Sequence, residues 1–96
     1  MELSAITTIP KEDVAGLRFP SDDVISSDLA KKERMTKLFL ATKLGNLEHG
    51  KIRIYFTDEN GPKVVETTIW ATGDKSVILK RGMTIPIHRI TDVRFH

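Results

Sequence analysis

Residues 83–95 have the sequence MTIPIHRITDVRF, in which five apolar side chains recur at short intervals. They are Ile85, Ile87, Ile90, Val93 and Phe95, at spacings of two, three, three and two residues. A spacing of two is typical of a half-buried strand, and a spacing of three between two strands indicates one tight helical turn. The stretch therefore predicts two short strands joined by a sharp turn, as in a small and strongly bent β-barrel.

The residues upstream extend this pattern to five strands. Asn60-Gly61 accepts the positive φ angles of a hairpin loop, and Pro86, which has no amide hydrogen, places its strand at a sheet edge. The second strand is long, bent and rich in β-branched residues. The expected strands are Lys51–Thr57, Lys63–Thr72, Ser76–Lys80, Met83–His88 and Thr91–Phe95.

The inward-facing apolar side chains of the expected strands should be buried together in a single core. An isoleucine, valine or phenylalanine on the inward face of each strand supplies this core. The expected core residues are Ile52, Ile54, Phe56, Val65, Ile69, Ile78, Ile85, Ile87, Ile90 and Val93.

A helix precedes the strands. Residues 29–44, LAKKERMTKLFLATKL, contain no Gly or Pro and are rich in good helix formers. Ser27 or Asp28 can cap its start, and Gly45-Asn46 predicts its end. The expected inward face consists of Met35, Leu38, Phe39 and Thr42. Leu40 and Leu44 lie on nearly the opposite side, which indicates either a helix packed on two sides or a surface for a partner.

Residues 1–27 lack sustained periodicity and are punctuated by Pro10, Gly16 and Pro20. Residues 1–28 have two basic and six acidic side chains (net −4), while residues 29–96 have 13 basic and seven acidic ones (net +6). We therefore expect an acidic, flexible and poorly ordered arm at 1–27, followed by a helix and a small β-barrel domain at 28–96. The alternative is that Val14, Leu17 and Phe19 hold the arm against the barrel or the helix.

The order of these elements resembles that of SH3-like and Sm-like barrels. The segment VETTIWATGDKSVILKRGMTIPIHRITDVRF, residues 65–95, carries the resemblance, and the helix lies where Sm-like proteins have theirs. The chain is similar at the level of the fold to a small uncharacterised bacterial protein family with this barrel. The resemblance implies a mainly β fold, a five-stranded SH3/Sm-like barrel with one N-terminal α-helix, and it implies no particular binding site.

The composition argues against several kinds of chemistry. The chain has no cysteine, which excludes disulfides and thiol catalysis and fits a reducing compartment. The three histidines, His49, His88 and His96, have no spacing typical of metal ligands. No nucleophile motif or phosphate-binding loop is present, and no signal peptide or membrane span is expected. We therefore predict a cytoplasmic, non-enzymatic protein without cofactor or metal and without a membrane partner.

Two kinds of binding remain open. The first is contact with a protein partner or self-association, for which an exposed Trp70 would be an anchor, although a bent strand could also bury Trp70 in the core. The second is binding of single-stranded nucleic acid, in particular RNA, through a basic face where Arg53 and Tyr55 project together. The candidate binding surface comprises Lys51, Arg53, Tyr55, Trp70, Lys80, Arg81 and Arg89.

Overall fold

A computed structural model of the chain describes residues 6–48 and 50–95. Within these residues the chain forms one α-helix, three short 3₁₀ helices and seven strands. The helix α1 is Asp28–Glu48, and the 3₁₀ helices are Lys11–Gly16, Lys80–Gly82 and Ile87–Arg89. The strands are β1 (Thr7–Ile9), β2 (Ile52–Asp58), β3 (Gly61–Thr67), β4 (Ile69–Thr72), β5 (Ser76–Leu79), β6 (Thr84–Pro86) and β7 (Ile90–Phe95).

The strands are arranged in two sheets. Sheet A has the order β1-β3-β2-β7, and sheet B has the order β4-β5-β6. Strand β1 is parallel to β3, whereas the other strand pairs are antiparallel. The chain passes from sheet A to sheet B at Thr68, so the long strand expected at Lys63–Thr72 is present as β3 and β4 with a bend between them.

The expected helix followed by a strand-rich region is present, but the expected mainly β, closed barrel is not found within the described residues. The protein is mixed α/β, and its two sheets do not close into a barrel within the described residues. Helix α1 packs on both β4 and β7, which are edge strands of the two sheets, and thus occupies the side where those edges could meet. The other edge of sheet B is β6, where Pro86 offers no amide hydrogen for a further strand.

The core lies between the two sheets and the helix, and it confirms nine of the ten expected core residues. Ile78 is the exception, since its side chain is 38% exposed while Val77 and Leu79 on either side are fully buried. Successive side chains of a strand point to opposite faces, so β5 cannot bury all three. Val77 and Leu79 are the core-facing residues of β5, and the prediction that Ile78 is buried is wrong.

Helix α1 begins where the sequence predicts, with the Ser27 hydroxyl accepting a hydrogen bond from the Ala30 amide (3.2 Å). Its inward face agrees with the expected one only in part. Leu38 is buried and Met35 packs against the core, as expected, but Ala41 is also buried while Phe39 is 55% exposed. The helix is therefore rotated relative to the expectation, and Arg34, one turn before Leu38, faces inward and is only 6% exposed.

The predicted helix end at Gly45-Asn46 is also wrong, because α1 continues to Glu48. Gly45 serves a different purpose. A Cβ atom at this position would lie 2.5 Å from the carbonyl oxygen of Ile69 and 2.9 Å from Cγ2 of Thr68. The absence of a side chain thus lets the helix approach the start of β4 closely.

Residues 6–27 pack against the rest of the protein, where the sequence predicts a poorly ordered arm. Strand β1 adds to the edge of sheet A, Val14 is buried in the core, and the ring of Phe19 lies 5.9 Å from that of Phe56. The backbone amide of Val24 donates to the carbonyl of His88 (2.9 Å). The apolar residues of the arm supply the reason for this docking. The division of the chain at residue 27 stays a prediction.

Candidate binding surfaces

Arg53 and Tyr55 project from the outer face of sheet A, as the sequence predicts. In the strand register, Arg53 lies between Glu66 of β3 and Arg94 of β7. Tyr55 lies between Val64 and Asp92 of the same two strands. The two predicted residues are thus on one surface, and β7 adds a second arginine to it.

The arginines on this face form ion pairs with neighbouring acidic side chains. Nε of Arg53 is 4.0 Å from Glu66, and Nε of Arg94 is 3.3 Å from Asp92, while the guanidinium of Arg94 lies 5.2 Å from the centre of the Tyr55 ring. Lys37 of α1 also donates to Asp92 (2.9 Å). The face is therefore a mixed one, with a weaker positive potential than its arginines alone would produce.

Asp92 is the acid that organises this network. Burial from water raises the pKa of its carboxyl, but hydrogen bonds from Lys37, from the Val93 amide and from Arg94 outweigh this, so that the pKa lies below its ordinary value. Asp92 thus stays ionised and remains paired with Lys37 and Arg94.

A groove of about 350 Å³ lies beside Arg53 and Tyr55 on the same face of sheet A. It is lined by Ile6, Thr8, Arg53, Tyr55, Val64 and Glu66.

Arg89 is buried, whereas the sequence analysis assigned it to an exposed binding surface. Its side chain is only 7% exposed. Nε donates to the carbonyl oxygen of Thr57 (2.9 Å), and Nη1 donates to the carbonyl oxygen (2.9 Å) and the carboxylate (3.2 Å) of Asp22. Arg89 therefore joins β2 to the N-terminal segment, and its charge is unavailable to a ligand.

Trp70 is 47% exposed, which settles the alternative between core and surface in favour of the surface. It lies in β4 at an irregularity in the pairing with β5, between Ile69 and Ala71. Successive side chains of a strand point to opposite faces, so Trp70 faces outward when its neighbour Ile69 faces the core. Ile69 is indeed fully buried.

Three of the predicted residues have their backbone close to Thr68, the residue at the bend between the sheets. The Thr68 hydroxyl donates to the Gly50 carbonyl (3.2 Å), which is next to Lys51, and the Lys80 amide donates to the Thr68 carbonyl (3.1 Å). Trp70 is two residues further along. The ion pairs of the described residues do not involve either lysine. We refer to Lys51, Trp70 and Lys80 as the Thr68 cluster.

Arg81 follows Lys80 in the tight turn before β6. Its φ angle of 73° lies in the left-handed region, and Gly82 after it has a φ of 84°. The turn borders a groove of about 450 Å³ that includes Val14, Leu17 and Phe19 of the N-terminal segment. Arg81 is exposed there, so the seven predicted residues are distributed over more than one surface.

Sequence reasoning missed a charged pair with a buried arginine that lines another pocket of about 450 Å³. Arg34 and Asp23 form an ion pair (2.9 Å) at one side of it, and His88, which donates to the Pro20 carbonyl (2.8 Å), lies at another. Asp74 and Lys75 also line this pocket. The only sequence signal was the position of Arg34, one helical turn before the buried Leu38.

The outer side of α1 is the most apolar exposed surface of the helix. Leu29 is 69%, Leu40 is 48% and Leu47 is 71% exposed. Of the two residues predicted to lie opposite the core, Leu40 is exposed and Leu44 is half-buried. The structure therefore leaves an apolar helix face outside the core.

Within residues 6–48 and 50–95, no three histidine or acidic side chains converge as metal ligands would. His49 and His96 lie outside the described residues. In the same part of the chain, no helix combines the length and the apolar character needed to cross a membrane.

Comparison with known proteins finds no matching family model, no similar curated protein and no similar solved structure.

Proposed function

We propose that this protein is a non-enzymatic binding module that acts through protein–protein contact, in the first place by self-association. The observation that carries the proposal is the row of exposed leucines on α1, at 69%, 48% and 71% exposure for Leu29, Leu40 and Leu47. Isolated apolar residues on a surface need no explanation, but a row of them along one helix is typical of an interaction site.

The fold supports this proposal through the way in which the helix is fixed. Leu38 and Ala41 hold its inner side in the core, and Lys37 ties it to Asp92 of β7. The outer side is thus presented by a rigid element, so that little conformational entropy is lost when a partner binds.

The experiment is a measurement of molar mass by sedimentation velocity over a wide range of concentrations. We expect a dimer that dissociates on dilution, and we expect Leu40→Glu to shift the dissociation constant upward at least tenfold with an unchanged circular dichroism spectrum. Ile78→Glu is the matched control, because Ile78 is also an exposed apolar residue but lies on sheet B. A monomer at every concentration would contradict self-association, and loss of the dimer in the Ile78 variant alone would assign the contact to sheet B.

Binding of single-stranded nucleic acid is the alternative function, and the Thr68 cluster favours it. An exposed tryptophan can stack on a base while adjacent lysines neutralise phosphates. Here Lys51 and Lys80 flank the bend from which Trp70 extends, and Trp70 is 47% exposed. The face of Arg53 and Tyr55 supports this function less well, because Glu66 pairs with Arg53 and Asp92 pairs with Arg94.

The relation to SH3-like and Sm-like barrels is likewise a proposal. Its support is the chain order of α1, the bent pair β3 and β4, and the 3₁₀ turn Ile87–Arg89 before the last strand. A cytoplasmic location remains the prediction from the cysteine-free sequence.

A further inference from the structure

The exposed residues on the outer face of α1 recur at regular intervals along the sequence. Its residues follow each other at intervals of four, three, four, three and four, the spacing of a stripe that packs against a second helix. All six are exposed. In order they are Leu29, Glu33, Thr36, Leu40, Lys43 and Leu47, which we call the outer stripe.

The outer stripe is symmetric about the position of Leu38, which itself points into the core. Leu29 and Leu47 lie nine residues to either side of it, Glu33 and Lys43 lie five, and Thr36 and Leu40 lie two. When two such helices run antiparallel and cross at Leu38, each position meets its counterpart. Leucine then meets leucine at both ends, and glutamate meets lysine between them.

From this symmetry we propose that two copies of the chain associate through α1 as an antiparallel helix pair with twofold symmetry. The inference rests on the proposed self-association and specifies its geometry. Leu29 of one copy packs against Leu47 of the second copy, and Glu33 pairs with Lys43 of the second copy. Each contact occurs twice, as a twofold axis requires.

The charges select the antiparallel direction. In a parallel pair, Glu33 would face a second Glu33 and Lys43 a second Lys43, and both like-charge contacts would be repulsive. In the antiparallel pair the same four side chains form two contacts of opposite charge. Glu33 and Lys43 are not members of any of the ion pairs found within the described residues.

The surface also offers a depression at the required place. A hollow of about 290 Å³ lies among Lys32, Glu33, Thr36 and Lys37 on the outer side of the helix. Thr36 is the position opposite Leu40 of the second copy. The leucine side chain would therefore enter the hollow, as a side chain of one helix packs between those of another.

Cysteine cross-linking tests this geometry, because the chain has no cysteine of its own. The variants are Leu29→Cys and Leu47→Cys, treated with a mild oxidant separately and as a mixture. In the antiparallel pair the two positions meet, whereas equal positions are about 27 Å apart along the axis at 1.5 Å per residue. We expect a disulfide-linked heterodimer from the mixture and at least tenfold less cross-linking from either variant alone.

The results separate the two proposals. Cross-linking of Leu29→Cys with itself, to the same extent as in the mixture, would overturn the antiparallel arrangement. The same conclusion follows if the mass shows a dimer but the mixture does not cross-link, and self-association would then stand through another surface. A monomer at every concentration would overturn both.

Charge reversal provides a second test that does not depend on cross-linking. Glu33→Lys and Lys43→Glu should each raise the dissociation constant of the dimer at least fivefold, and the double variant should restore it. Glu12→Lys is the control, since Glu12 is an exposed acid of the first 3₁₀ helix and the change in net charge is the same as in Glu33→Lys. A double variant as weak as the single ones would contradict the pairing of Glu33 with Lys43.

Discussion

Arg34 and Asp23 are joined by two parallel hydrogen bonds of 2.9 Å, from Nη1 to Oδ1 and from Nη2 to Oδ2. Nη1 of Arg34 also donates to the carbonyl oxygen of Ile90 (3.1 Å). One guanidinium therefore connects α1, the N-terminal segment and the start of β7. Such a fork of charge-assisted bonds fixes geometry as well as adding energy, which explains how an acidic segment without periodicity is positioned on the body of the protein.

The first prediction concerns the pH dependence of this pair. The hydrogen bond from Arg34 is the main reason why the pKa of Asp23 falls from 3.8 to about 2. Because the pKa is lower in the folded state, the contribution to stability is complete above about pH 4 and is lost as the pH falls toward 2. Asp23→Asn should lower the free energy of unfolding at pH 7 by about 1–2 kcal/mol, since Asp23 retains partial contact with water.

Urea titrations of both proteins between pH 2 and pH 7 measure this effect. The difference between them should shrink as the pH falls from 4 toward 2, because the Asp23 carboxyl of the unfolded chain takes up a proton in this range, before that of the folded protein does. The pKa values of Asp58 and Asp92 are also lowered, so the comparison of variant and wild type isolates Asp23. A difference that is independent of pH would mean that the charge of Asp23 is not what stabilises the contact.

The second prediction concerns Gly45. In a helix interior, alanine is more favourable than glycine by about 1 kcal/mol, yet a Cβ at Gly45 would lie 2.5 Å from the Ile69 carbonyl oxygen. We therefore expect Gly45→Ala to lower stability by about 1–3 kcal/mol, because the helix must move away from β4. Asn46→Ala at the next, exposed position should leave the melting temperature unchanged or raise it. Stabilisation by Gly45→Ala would show that the close approach is not required.

Gly45 also shows where sequence reasoning fails. The pattern of residues 29–44 correctly predicted a helix and its start, because good helix formers and a capping serine act locally. A glycine after such a run usually ends the helix, and here it is instead needed for contact with Ile69, which is 24 residues away in the sequence. Tertiary contacts of this kind leave no local signal.

The third prediction compares two isoleucines that the sequence placed together in the core. Ile87 is 5% exposed and Ile78 is 38% exposed. Ile87→Ala should cost about 2–5 kcal/mol because it leaves a cavity, whereas Ile78→Ala should cost less than about 1 kcal/mol. Thermal and urea unfolding of the two variants make the comparison. Equal losses of stability would contradict the outward orientation of Ile78.

The candidate site was predictable to the extent that it depends on alternation within strands. Arg53 and Tyr55 face outward because Ile52 and Ile54 face inward, and this follows from the sequence of β2. Arg89 was not predictable, because its burial depends on Asp22 and on Thr57, which come from distant parts of the chain. The same is true of the Thr68 cluster, since it forms only where the two sheets meet.

The last prediction separates the two surfaces proposed for nucleic acid. If single strands bind at the Thr68 cluster, Trp70→Ala should weaken binding about fivefold to 150-fold with little change in its salt dependence, because stacking contributes about 1–3 kcal/mol per base. Lys80→Ala should reduce the slope of log K against log salt by about 0.7, the contribution of one phosphate contact to a single strand. The measurement is fluorescence anisotropy with a labelled mixed-sequence RNA at several salt concentrations.

Tyr55→Ala and Arg53→Ala are the matched variants on the outer face of sheet A, and they should have little effect because Glu66 and Asp92 already pair with the arginines of that face. Large losses in these two variants, with none in Trp70→Ala, would move the site to sheet A. If the wild-type protein does not bind RNA even at low salt, nucleic-acid binding is excluded at both surfaces, since a phosphate contact gains most strength under that condition.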